Sequence, residues 1–113
     1  MNLQSFKIFI DHEIQYSNKK IEEFKRHLDV NPLSALTWSL PIFNCAAKKF
    51  ICERIQTMLD KSNEDMQVIK DFLSDEVQYR ARSLSRSTSQ VSNLMEESML
   101  SAYAYLLDQI NRS

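Results

Sequence analysis

Three groups of residues have types that do chemistry. Asp11, His12 and Glu13 stand in succession, Cys45 and Cys52 lie seven apart in an apolar stretch, and Arg80, Arg82 and Arg86 share a segment without acids. They point in turn to acid–base or metal work, thiol chemistry and phosphate binding.

On a helix, successive side chains point about 100° apart, so Asp11, His12 and Glu13 do not converge. The second histidine, His27, follows Glu23 by four, which misses the Glu-x-x-His pattern of di-iron bundles, and no His-Glu-x-x-His zinc helix is present. Cys45 and Cys52 fall about 10 Å apart along one helix, beyond the roughly 7 Å Cα separation that a disulfide spans. Their apolar setting disfavours thiolate. They read as small buried hydrophobes in a reducing compartment, with a disulfide across a dimer as the remaining use.

The chain of 113 residues holds no glycine and only two prolines, Pro32 and Pro41. Phosphate-cradling loops, dinucleotide fingerprints and nucleophile elbows all depend on glycine, so these chemistries are excluded on backbone grounds. The expectation is a protein that is not an enzyme, with no catalytic residues, no metal and no cofactor.

The arginines carry more weight. Arg80, Arg82 and Arg86, joined by Lys48, Lys49 and Arg54 of the preceding segment, offer a candidate patch for phosphate or nucleic acid. The segment Glu64–Glu76 holds five acids against the single Lys70, so neutralisation within the protein is an equally physical destination. No aromatic is interleaved with these arginines for base stacking. A formal net charge of -1 and a pI near 6.1 give no global pull on nucleic acid. The string Arg82–Ser89 also has the basic-plus-serine look of a phosphorylation site, where added negative charge would sit beside arginines.

The elements that position these residues are helices. Leu3, Phe6, Ile10, Ile14, Ile21, Phe24 and Leu28 recur at three- and four-residue spacings, with Ser17 in the missing place. That is a narrow helical stripe over Leu3–Leu28, resembling a coiled-coil seam. Asn31-Pro32 reads as an N-cap and first helical position. Pro41 then suggests a short helix to Trp38 followed by a second one capped by Ser39, in preference to one kinked helix. From Pro41 to Leu59 apolar residues wrap most of the wheel, which predicts the central, most buried helix.

Ser62-Asn63-Glu64-Asp65 resembles a capping box, opening a helix with Met66, Ile69, Leu73 and Val77 on its buried face. The apolar phase continues through Leu84 and Val91 to Ile110. One helix of about 70 Å fits that phase, but a compact fold requires a break near Ser85–Ser89, where side-chain hydroxyls compete for the backbone. The break is preferred; the long C-terminal helix belongs to an extended dimer.

At 43% hydrophobic and 26% charged residues, the chain is a folding sequence. Charges interrupt every apolar run before the roughly 20 residues a membrane helix needs. Met1–Ile10 carries Lys7 and leads into Asp11, His12 and Glu13, unlike a secretory signal, so a cytoplasmic protein is expected.

The predicted architecture is all-α, one domain over residues 1–113, an antiparallel bundle of about four helices. These are Leu3–Leu28, Pro32 or Pro41 to Lys61, Asn63 to about Ser83 and about Asn93 to Ile110. The expected function is a non-enzymatic helical protein–protein interaction module, a small adaptor or regulator that self-associates as a homodimer. Its partner contacts would be Ile10, Ile14, Ile21, Phe24 and Trp38. The second reading is a small nucleic-acid-binding regulator using Arg80, Arg82 and Arg86.

Overall fold

The structure, a computed structural model, describes residues 2–61, 65–86 and 90–112, except the side chains of residues 39, 40, 85, 86 and 90–95. The described residues are all-helical: α1 (Leu3–Val30), a 3-10 turn (Pro32–Ser34), α2 (Ala35–Lys61), α3 (Met66–Arg86) and α4 (Gln90–Asn111). No strand occurs among them.

Each junction has a local cause. Asn2 caps α1 by accepting from the Ser5 N–H at 2.8 Å. Asn31 ends α1, its own N–H bonding the His27 carbonyl at 2.8 Å, and its side chain accepts from the Leu33 N–H at 3.1 Å to open the 3-10 turn. Pro32 therefore occupies the first position of this turn, where its missing N–H costs nothing.

Pro41 does not divide the next helix. In place of the expected short helix and a second start at Ser39, α2 runs without interruption from Ala35 to Lys61. The proline forfeits one backbone hydrogen bond, yet α2 is held against α1 on both sides of it. Trp38 stacks on His27 with ring centroids 4.8 Å apart, and Ile42 borders Phe24.

Of the expected capping box Ser62-Asn63-Glu64-Asp65, residues 62–64 lie outside the described residues. Within them, Asp65 is the cap of α3, accepting from the Gln67 N–H at 2.9 Å. The long C-terminal helix is overturned: α3 ends at Arg86 and α4 begins at Gln90. Phe72 and Tyr103 meet edge to face at 5.9 Å, whereas one straight helix would hold them about 46 Å apart.

Side-chain pairings fix the directions. Asp11 with Gln56, Glu13 with Lys48 and His27 with Trp38 run α1 antiparallel to α2. Arg80 with Glu96 and Phe72 with Tyr103 do the same for α3 and α4. The two hairpins join because α4 packs on α2, with Lys48 over the Tyr105 ring at 5.1 Å.

All four helices feed one core. Phe6 and Ile10 come from α1, Ile51, Cys52, Ile55 and Leu59 from α2, Ile69 and Leu73 from α3, and Tyr103, Leu106 and Ile110 from α4. Its spacing is the i, i+3, i+4 pattern of helical packing. Ser17 is also fully buried, and its hydroxyl has no hydrogen-bond partner among the described residues.

Candidate interaction surface

Among the described residues, no group of three or more His, Cys, Asp or Glu side chains is placed to hold a metal. The thiols are quiet. Burial raises the pKa of Cys45 and pushes Cys52 up to about 12, which keeps both in the poorly nucleophilic protonated form at neutral pH. Both are free cysteines.

The residues Asp11, His12 and Glu13 diverge as helix geometry requires. Asp11 accepts from Gln56 Nε2 at 2.6 Å, and His12 is exposed. Glu13 is enclosed: Lys48 Nζ lies 3.3 Å from one carboxylate oxygen, and the Tyr105 hydroxyl donates to the other at 3.0 Å. Lys48 also sits over the rings of Tyr16 and Tyr105. This cluster ties α1, α2 and α4 together with its charges matched. Burial, helped by the hydrogen bond to Glu13, pushes Tyr105 up to about 12.

Of the three arginines, Arg80 is paired with acids. Arg80 lies between Glu76, 3.3 Å from its Nε, and Glu96, 2.9 Å from its Nη1. Burial disfavours its charge, but the bonds to Glu96 and Glu76 outweigh that and raise its pKa. Arg82 donates from Nε to the Gln78 carbonyl at 3.4 Å, and the Arg86 side chain lies outside the described residues. Arg80 thus spends its charge on bridging α3 to α4.

The α1 stripe splits in two. Ile10 is sealed in the core, and Ile14 is half-buried against it. Ile21 and Phe24 are half-buried. Phe24 lines a shallow apolar groove of about 240 Å³ with Ile42, Phe43 and Ala46 of α2. Trp38 is half-buried on His27.

Sequence reasoning missed the surface beside that groove. Leu36 is 83% exposed, Phe43 49% and Phe50 56%. Their seven-residue spacing lays them along one row of α2, about 21 Å long. Leu33 extends it at 71% exposure, with Val30 nearby in sequence at 88%. The apolar character then stops: Glu53, Arg54 and Thr57 are the next exposed residues of α2. As the apolar wrap led one to expect, α2 supplies more of the buried core than any other helix, through Ala47, Ile51, Cys52, Ile55 and Leu59, yet one side of it stays exposed. Its apolar wrap serves two purposes, a core face through Ile51, Cys52, Ile55 and Leu59 and a face toward solvent through Leu36, Phe43 and Phe50. The seven-residue repeat was the available signal.

No helix among the described residues is long and apolar enough to cross a membrane. Comparison with family models, curated proteins and solved structures finds no match to this chain. Its class is thus given by its own geometry, an all-helical protein with an uncovered apolar helix face.

Proposed function

We propose that the chain is an antiparallel four-helix bundle acting as a non-enzymatic protein–protein interaction module, a small adaptor or regulator that self-associates. The carrying observation is the exposed apolar row of α2. Isolated exposed hydrophobics are ordinary, but several large ones on one side of a helix mark an association surface. The arrangement of the chemical groups supports the same reading: Lys48, Glu13 and Arg80 are matched to one another or to neighbouring carboxylates, and both thiols are held protonated.

A cytoplasmic setting belongs to the proposal, since free Cys45 and Cys52 suit a reducing compartment. Light scattering over a range of protein concentrations tests the function. The mass should rise from the 13.3 kDa of one chain toward twice that value. A constant monomer mass, together with salt-sensitive binding to duplex DNA, would transfer the case to the nucleic-acid reading.

A further inference from the structure

We infer that the chain is one helical hairpin present twice, with α1–α2 and α3–α4 related by an approximate two-fold axis between α2 and α4. The face that joins them is then a homodimer-type interface held within one chain, and the partner it fits is a hairpin of the same pattern. The inference stands apart from the self-association proposed above.

The burial pattern of α1 recurs on α3 at a shift of 63 residues. Phe6 and Ile10 answer to Ile69 and Leu73 in the core. From Leu3 to Ile21 each residue is buried, half-buried or exposed as its mate from Met66 to Leu84 is, except at Asp11 with Ser74 and Ser17 with Arg80. The pattern of α2 recurs on α4 at a shift of 51. Ala47, Ile51, Cys52, Ile55 and Leu59 answer to Ser98, Ala102, Tyr103, Leu106 and Ile110, all buried, and the agreement runs without exception from Cys45 to Lys61. The sequence keeps a trace of the repeat: Glu13-Ile14-Gln15-Tyr16 returns as Glu76-Val77-Gln78-Tyr79.

A shared helical period alone aligns burial at many shifts. Two further observations fix this one. The helix starts coincide, since Asn2 caps α1 and Asp65 caps α3, each one position before the helix begins at Leu3 or Met66. The contacts between the hairpins are reciprocal. Phe9 of α1 meets the Tyr105 ring of α4 at 6.0 Å, and its mate Phe72 of α3 meets Arg54 of α2, the mate of Tyr105, at 4.9 Å. Repeats stacked by translation bring two different faces together, whereas contacts that exchange under one operation mark a two-fold. The main contact between the hairpins is that of α2 with α4, as an axis between them requires.

The outer faces have diverged. Exposed Phe50 of α2 answers to exposed Ser101 of α4, so the apolar row of the first hairpin is broken at that point on the second.

A two-fold dictates where the helix ends lie. It carries the junction from Lys61 to Met66 onto the gap from Arg112 to Leu3. Five residue steps span at most about 17 Å, so the end of α4 must lie that close to the start of α1. The order of the hairpins along the chain is then immaterial to the fold.

Circular permutation tests this. The permuted chain starts at Asp65, runs to Ser113, passes through one added serine into Met1 and ends at Lys61, which gives the new junction the length of the old one. Its helical circular dichroism and the slope of its urea transition should match the parent's, and the midpoint should shift by less than about 0.5 M.

A permuted chain can fail to fold for reasons of its own, so spin labels on the unpermuted protein measure the same geometry. In a Cys45→Ser background, with Cys52 fully buried, one variant carries Gln4→Cys with Arg112→Cys and the other carries the mates Gln67→Cys with Lys61→Cys. Each is diluted with unlabelled protein so that only distances within one chain are read. The two distances should agree within a few ångström, and that agreement upholds the two-fold even where the permutant does not fold. A Gln4-to-Arg112 distance far beyond its mate's, toward the 45 Å length of the molecule, would overturn it.

Discussion

The Tyr105 hydroxyl donates to Glu13 Oε1 at 3.0 Å across 92 residues of sequence, closing α4 onto α1 at the point where Lys48 of α2 holds the other carboxylate oxygen. Removing this hydroxyl with Tyr105→Phe deletes a bond to a charged acceptor and leaves the ring contact with Phe9 in place. The expected cost is about 1 kcal/mol, read as a lower urea midpoint with an unchanged slope.

Alkaline pH should weaken the fold. Cys52 rises from 9.0 to about 12 and Tyr105 from 10.0 to about 12 on folding. Between the unfolded and folded values the native state binds more protons than the unfolded chain, so stability falls as pH rises. The contribution is whole below about pH 9 and declines toward pH 12. Urea titrations at stepped pH measure this, and Cys52→Ala should flatten the decline while lowering stability at neutral pH.

Ser17 should be replaceable to advantage. Its hydroxyl is fully buried in α1 with no hydrogen-bond partner among the described residues, so Ser17→Ala removes a desolvated group and adds helix propensity. A gain of about 0.5–1 kcal/mol is expected in thermal or urea unfolding. Ser17→Leu should destabilise, because a fully enclosed site has no room for the larger side chain.

Arg80 should behave as a strut between helices. Arg80→Gln leaves Glu76 and Glu96 facing each other without their shared cation, and the melting temperature should fall. A loss of about 1–2 kcal/mol is expected from the lost charged hydrogen bonds at a partly exposed site. Duplex DNA affinity measured by fluorescence anisotropy should not change.

Much of the helical layout was legible in the sequence. The Phe6, Ile10, Ile14 stripe marked α1 as a helix, and the hydroxyl-rich stretch after Arg82 marked the place where α3 and α4 part. Pro41 was misread because a local rule weighs one lost hydrogen bond but not the tertiary contacts of Trp38 and Ile42 that flank it. The surface was hidden for a related reason. A helical wheel shows that Phe43 and Ile51 are both apolar, but only packing shows that neighbouring helices reach Ile51 and leave Phe43 outside. Ile10, expected at a partner contact, is fully buried within the chain, since a stripe narrow enough for a coiled coil also suits a helix facing its own core.

Sedimentation velocity of wild-type protein beside a Phe43→Glu, Phe50→Glu double variant tests most directly that the exposed row of α2 mediates association. The expected result is a wild-type species near twice 13.3 kDa, growing with concentration, and a variant that stays monomeric with the helical circular dichroism of the parent. A wild-type chain that remains monomeric, or a folded variant that associates as strongly as the parent, would contradict it.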